Sequence, residues 1–499
     1  MSTLLPGEPL GAGTDEVYRR LKRGPDEPHR LRSDFTPPLA PGRVGGRVVA
    51  TLAHLTDLHV VDPGSPARLD FAMRSGAGRP AWGGAVDWVF RPQESLTPYA
   101  VRSMVSTLAG LPIDVCVVTG DNIDNGQTNE LNAYLALLDG GEVRLAPAYH
   151  GPQRLDWDDH WYWRPDPGDD QYKRRWGFPT HPGLLDLASS PFTAAPLGHP
   201  WLGCLGNHDL LVGGASQGHA HLGDLVTSDR KPIELPDNIP CGLDTLLSDP
   251  ATLFSGRSRP VPAVPERAFA GRMELIRRHL GHGFTEENLR DGTGYYTYDP
   301  VPGLRVITLD TNHAPGHWDG SMDQRQLAWL EDQLARTHGP DAPLVVLASH
   351  HATASMNNRY GVCPDRQADR AYAAEVLSTA LRCPNVVLWL NGHHHANRIT
   401  AHYRAGGGGL YEVTTASITD WPSQARLIEI AIEPTGEIRL TTTMIDHAAP
   451  ATVSGDLADP AQLATLHREL AYNDGVRAGR RGAEGSPADR NVHLYLPPR

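Results

Sequence analysis

Five short apolar runs in this chain each end in a cluster of polar side chains, and that pattern constrains the fold more than any other feature. Val48 to Leu55 runs into Thr56-Asp57-Leu58-His59, and Val115 to Thr119 into Gly120-Asp121-Asn122-Ile123-Asp124. Trp201 to Leu205 runs into Gly206-Asn207-His208-Asp209, and Pro343 to Ala348 into Ser349-His350-His351. Val386 to Leu390 ends in Asn391-Gly392-His393-His394-His395. Short apolar runs of this kind read as buried strands. Helical patterns separate them: Thr97-Pro98 opens one that runs to Gly110, and Asn129 to Leu138 stops at Gly140. Ser321 and Gln324 head a third to about Leu334, and residues 366–381 a fourth. Strand and helix in alternation imply α/β layering, in which ligands gather at the carboxyl ends of the strands.

Between these pieces the chain is less regular. Residues 1–45 are rich in Pro, Gly and Arg and read as an irregular lead-in. The main domain spans 46–450, with a loop-rich segment at 62–94 and long inserts at about 141–199 and 211–300, the second holding a helical piece from Glu266 to Leu280. Insert residues 156–163 are dense in Trp, Tyr and Asp, and packing accounts for most of the aromatics. Alternating runs near 397–404, 410–416, 425–432 and 437–444 predict an antiparallel closing sheet, and the tail 451–499 one helix opened by Asp459-Pro460.

A net charge of −13 argues against a nucleic-acid surface, which needs a basic footprint. No stretch has the apolar length of a membrane span. The N-terminus as written lacks a signal peptide, which predicts a cytoplasmic protein. Cys116, Cys204, Cys241, Cys363 and Cys383 show no metal spacing and fit a reducing compartment.

The strand-end groups are Asp57, His59, Asp121, Asn207, His350, His393 and His395. Carboxylate, imidazole and amide ligands without thiolate suit Mn, Zn or Fe, and more than four ligands imply two divalent ions. A paired site needs a bridging carboxylate. Asp121, with two oxygens between the clusters, is the natural bridge. One ion then takes Asp57, His59, Asp121 and His395, and the other Asp121, Asn207, His350 and His393. In Gly392-His393-x-His395 alternate residues point to one side, so His394 points away. Each motif alone is a common accident; the five together at strand ends are not. His54, His219, His221 and His313 have no such support. His54 reads as a core residue, and His313 is only a weak candidate for the pocket.

Asp57-x-His59, Gly120-Asp121-x-x-Asp124, Gly206-Asn207-His208-Asp209, His350 and Gly392-His393-x-His395 together resemble the signature of calcineurin-like metallophosphoesterases, the superfamily of purple acid phosphatases and class III cyclic nucleotide phosphodiesterases. The resemblance covers roughly 48–125, 200–210 and 304–445. It implies a four-layer α/β/β/α sandwich with two long insertions, a binuclear metal centre, and hydrolysis of a small-molecule phosphate ester. His208 would protonate the leaving oxygen, Asp209 would orient the His208 ring, and Asp124 would support the Asp121 turn. The spacing and Asp420-Trp421-Pro422 resemble a subfamily that often carries a twin-arginine leader. Arg19-Arg20 has no apolar stretch behind it, so export follows only if such a leader precedes Met1. Two positions depart from the superfamily pattern. Ala352 stands where Pro is common, and Asn122-Ile123 stand where purple acid phosphatases carry an iron-binding Tyr. Other metallohydrolase chemistry, such as amide hydrolysis, and a non-catalytic scaffold are the alternative readings.

Overall fold

The computed structural model describes residues 2–35, 45–74, 89–154, 160–237, 243–362, 369–480 and 482–499. Two mixed sheets lie face to face between helices. The first has seven strands in the order Arg30–Arg32, Val492–Leu496, Ile438–Asp446, Gln424–Ile432, Arg47–Leu55, Val115–Val118 and Trp201–Gly203. The second has six: Tyr296–Val301, Leu304–Thr308, Leu344–Ala348, Val386–Asn391, Gly409–Thr414 and Arg398–Tyr403.

Within the first sheet, Arg47–Leu55, Val115–Val118 and Trp201–Gly203 pair in parallel. The middle four strands of the second sheet do the same. Parallel strands need both faces covered, and their sequences show it. Val306, Val346, Leu388 and Val413 enter the core between the sheets with Leu52, Val115, Ile428 and Leu440. Their neighbours Ile307, Val345, Leu347 and Trp389 point the other way, onto Leu327, Leu330, Leu334, Val376 and Ala380 of helices Gln324–Ala335 and Ala373–Arg382. Helices Thr97–Ala109 and Thr128–Asp139 bury Val101, Met104, Val105, Leu131 and Tyr134 in the core of the first sheet. This is the four-layer sandwich, and its parallel register brings five motif-bearing strand ends to one side.

Several sequence expectations change. The lead-in expected over 1–45 is not irregular in its described residues 2–35: Ser2–Ala12 and Val17–Asp26 make an antiparallel hairpin, and Arg30–Arg32 adds to the edge of the seven-stranded sheet. Pro6 and Pro9, which read as breakers, sit at register shifts in that hairpin, where a missing N–H is tolerated. Arg19-Arg20 lies inside its second strand, and Asn473 bonds both backbone groups of Arg19 at 2.8 Å. The tail has its helix, Pro460–Asn473, but also Val492–Leu496, which enters the first sheet between Ile438–Asp446 and Arg30–Arg32.

The closing strands do not form one sheet either. Arg398–Tyr403 and Gly409–Thr414 belong to the second sheet, Gln424–Ile432 and Ile438–Asp446 to the first, and the chain crosses between sheets at 415–423. The helical piece expected from Glu266 to Leu280 is shorter, Arg272–Arg278, preceded by Gly271, with a separate turn at Pro265–Arg267. The fourth helix starts at Ala373, after the short strand Arg370–Ala371, and residues 363–368 lie outside the described ones. Asp323, not Ser321, caps helix Gln324–Ala335, accepting from Gln326 N–H at 2.7 Å. Thr97 is no cap, because its hydroxyl faces Thr419 and His467.

The first insert packs as expected where it is described. Tyr162 and Trp163 are buried with Tyr18, Phe90, Tyr172 and Phe178, while residues 155–159 lie outside the described set. Cys116, Cys204 and Cys383 are buried free thiols; Cys241 and Cys363 lie outside it too. Among the described residues no helix is long and apolar enough to cross a membrane.

Candidate metal centre

The loops after three of the five strands leave in conformations that side chains seldom adopt. Asp57, His59, Asp121, His393 and His395 all have positive φ, at 50°, 44°, 50°, 67° and 53°. Asp and His tolerate the left-handed region better than branched residues do. The turns are locked to one another. Asp57 N–H donates to Gly120 O at 3.0 Å, His59 N–H to Asp121 O at 2.9 Å, and Gly392 N–H to His350 O at 3.0 Å.

The side chains so placed converge. Asp57, His59 and His395 offer ligand atoms within 4.8 Å of one another; so do Asp57, Asp121 and His350, and so do His59, Asp121 and His208. Asp121 Oδ2 lies 3.6 Å from His59 Nε2 and 3.3 Å from His350 Nε2. His350 Nε2 is 2.9 Å from Asn207 Oδ1 and 3.3 Å from His393 Nδ1, and His395 Nε2 is 3.2 Å from Asp57 Oδ1. All seven residues expected as ligands thus meet at one place, and His394 is exposed beside it.

Behind the cluster, acceptors fix which nitrogen of each ring faces inward. His59 Nδ1 bonds Asp124 at 2.8 Å, His395 Nδ1 bonds Asp420 at 2.8 Å, and His350 Nδ1–H donates to Thr119 O at 2.8 Å. A ring holding its proton on Nδ1 turns a bare Nε2 lone pair to the centre. His59 Nε2 and His395 Nε2 then face each other 3.2 Å apart, an arrangement that a cation between them relieves. Burial pushes His59 down to about 4, which keeps it neutral. Burial also opposes charge on His350, but Asp121 outweighs it and lifts that ring to about 9. Positive charge is wanted at this point, whether as a proton or as a metal ion. Burial works against Asp57 as well, yet His395 brings it down to about 2. The donor set, its outward anchors and its need for positive charge all fit divalent metal.

Asn207–Leu210 forms a single helical turn, and Gly206 ahead of it is extended. Gly206 is required by closeness: a Cβ there would strike Asp121. Asn207 Nδ2 donates to Gly214 O at 2.8 Å, which aims its Oδ1 at His350. His208 N–H donates to Asp121 Oδ1 at 2.8 Å, and its Nδ1 lies 3.0 Å from Asp124 O.

Asp209 does not orient the His208 ring. Its carboxylate accepts from Gly206 N–H at 2.7 Å, Asn122 N–H at 2.9 Å and Ile123 N–H at 3.1 Å. It therefore clamps the two loops that carry Asp121 and Asn207, and Asp124 places the His208 ring. His54 and His313 are structural: the first sits between Thr119 and Thr415, the second between Ser321 and Tyr360 O. His351 also faces the cluster, but Thr311 and Trp318 O occupy both its nitrogens.

Sequence reasoning overlooked Asp420 as the partner of His395, and Gly214. Asp420 follows no strand, and only its adjacency to Trp421-Pro422 marked it. At Gly214, φ is +65° and a Cβ would collide with the His208 ring and the Asn207 amide. Gly214→Ala is expected to displace the Asn207 amide and the His208 ring and to lower the activity of this site at least ~10-fold, since misplacement of reacting groups costs up to ~100-fold. Steady-state kinetics alongside a thermal melt separates this from unfolding.

A family model described as calcineurin-like phosphoesterase matches residues 50–397. The chain belongs to the calcineurin-like phosphoesterase family. Among curated proteins it is similar to a probable cyclic nucleotide phosphodiesterase of Rhodococcus erythropolis, 39% identical over 98 residues, which is 20% of this chain and 29% of the relative. It is also similar to a cAMP/cGMP dual specificity phosphodiesterase of Mycobacterium tuberculosis, 47% identical over 51 residues, 10% of this chain and 15% of the relative. The chain thus spans less than a third of either relative's length. Solved structures similar to it include a dimetal phosphatase from Danio rerio at 12% identity and a TM-score of 0.36, covering 80% of this chain and all of that one. Another is PhoD at 12% identity and a TM-score of 0.34, covering 93% and 83%.

Proposed function

We propose that this protein hydrolyses small-molecule phosphate esters at a site holding two divalent metal ions of the Mn, Zn or Fe type. The observation that carries the reading is the position of Asp121 Oδ2, within 3.6 Å of His59 Nε2 on one side and 3.3 Å of His350 Nε2 on the other. Asp57, His59, Asp121 and His395 would hold the first ion, and Asp121, Asn207, His350 and His393 the second. Such a pair, when bound, supplies a hydroxide nucleophile at neutral pH and charge neutralisation for the phosphoryl oxygens.

The protein's own groups do the rest. Asp124 O can only accept, so His208 Nδ1 carries the hydrogen of their 3.0 Å bond, and Nε2 is left to hold or deliver a proton. That nitrogen suits protonation of a departing alkoxide. Asp209, by clamping the Asp121 and Asn207 loops, keeps this geometry fixed. The free, buried cysteines fit a reducing, cytoplasmic setting.

The test uses Mn(II)-supplemented protein with bis-p-nitrophenyl phosphate, p-nitrophenyl phosphate and an acyl p-nitroanilide. Release from a phosphoester, abolished by chelator and restored by Mn(II), is expected, with no release from the anilide. Comparable anilide hydrolysis, or no bound metal, overturns the proposal. The ratio of the two phosphoester rates decides between diester and monoester.

A further inference from the structure

The segment 62–94 carries no ligand and no periodic pattern, yet two of its arginines lie directly behind the metal centre. We propose that Arg91 is a positioning residue for the first ion, holding in place both carboxylates that orient His59 and His395. The inference rests on the two-ion site proposed above.

The geometry is a chain of contacts leading outward. His395 Nδ1 bonds Asp420 Oδ2 at 2.8 Å. The other oxygen of that carboxylate accepts from Arg91 Nε at 3.0 Å and from Gln93 Nε2 at 3.3 Å. Gln93 Nε2 also donates to Thr419 O at 3.1 Å, so the loop carrying Asp420 is gripped twice. On the other side, His59 Nδ1 bonds Asp124 Oδ1 at 2.8 Å, and Arg91 Nη1 stands 3.7 Å from the same oxygen. Arg68 completes the frame, donating from Nη1 to Asp124 Oδ2 at 2.6 Å and from Nη2 to Glu94 Oε2 at 2.9 Å. Glu94 Oε2 in turn accepts from Arg91 N–H at 2.9 Å.

The Arg91 side chain is 3% exposed, so water cannot replace it. A planar guanidinium can face two carboxylates at once, which a lysine ammonium on a flexible stem cannot do with fixed geometry. Both first-ion histidines therefore lean, through one carboxylate each, on Arg91, which shares Asp124 with Arg68 and Asp420 with Arg477, the latter at 3.9 Å. The second ion's rings do not: His350 is anchored on Thr119 O, and His393 Nε2 faces Asp319 at 3.9 Å. The asymmetry gives the proposal its signature, because losing Arg91 should weaken one ion and spare the other.

The experiment measures Mn(II) retained per full-length chain across a series of chelator-buffered free Mn(II) concentrations. Arg91→Gln is expected to weaken the first ion about 10–100-fold, the usual effect of losing an outer partner, giving a plateau at one ion where wild type holds two. Adding Asn207→Ala should remove that remaining ion. In an Asp420→Asn background, Arg91→Gln should add less than its full single-substitution effect, since the part acting through Asp420 is already lost and only the part through Asp124 remains. Arg91→Lys should recover only part of the loss. Should Arg91→Gln fail to fold, Asp420→Asn, which strands no buried negative charge, and Arg91→Lys must still weaken the first ion selectively. Wild-type affinity at both ions in these variants, equal weakening at both, or full additivity with Asp420→Asn overturns the proposal. A wild-type protein that binds no Mn(II) overturns the metal assignment itself, and this inference with it.

Discussion

Asp121→Ala is expected to strip the protein of both ions, whereas Asn207→Ala should lose mainly one. Asp121 is the residue whose single oxygen approaches both donor groups, at 3.6 Å from His59 and 3.3 Å from His350. Its other oxygen accepts the His208 backbone N–H, so the substitution also loosens the loop that carries His208. Burial would raise this carboxyl, but His350, His208 and His59 hold it well below the usual carboxylate range, and it stands ready as a ligand at any ordinary pH. Loss of an outer partner costs ~10–100-fold in metal affinity or activity, so loss of the shared inner one should exceed ~100-fold in both. Elemental analysis after gel filtration measures the metal. Full occupancy in Asp121→Ala would remove the bridge from the proposal.

The second large effect depends on the substrate. His208→Ala should keep both ions and lose about 10²–10⁴-fold on an alkyl phosphoester, the usual contribution of a positioned proton donor. A basic alkoxide must be protonated as it leaves; p-nitrophenolate hardly needs it. The loss on a p-nitrophenyl ester should therefore be clearly smaller. An equal loss on both would assign His208 to charge stabilisation. A fall in bound metal would make it a ligand, an alternative that its place beside His59 and Asp121 makes worth measuring.

The convergence of the seven candidate ligands was legible in the sequence because each lies at the end of a buried strand, where local pattern and three-dimensional position coincide. The α/β layering was legible for the same reason, since parallel strands buried on both faces leave unbroken apolar runs such as Leu344–Ala348, while the four-layer arrangement came from the family resemblance. What escaped depends on long-range contact. Nothing near Asp420 foretells that it meets His395, 25 residues earlier, or Arg91, 329 residues earlier. The resemblance assigned Asp209 to the His208 ring, but one helical turn sends its carboxylate to backbone N–H groups instead. Composition misled at the N-terminus, where Tyr18 and Leu21 are buried although their neighbours are charged, and it is those two that hold the hairpin down.

The five left-handed residues of the metal centre bear on how the protein tolerates heat. Each non-glycine residue held in that region costs on the order of 1 kcal/mol, and together they draw on a domain stability of only ~5–15 kcal/mol. Without ions, only the hydrogen bonds between the turns offset the strain, so the stripped protein should melt below the loaded one, by an amount set by metal concentration over affinity. The same reasoning gives ligand substitutions an uncommon signature. Asp57→Gly or His393→Gly relieves the backbone, and either should raise the melting temperature of the metal-free protein while abolishing its function. Robustness and reactivity are in direct conflict at these positions, and a selection for thermal tolerance alone would erode the site.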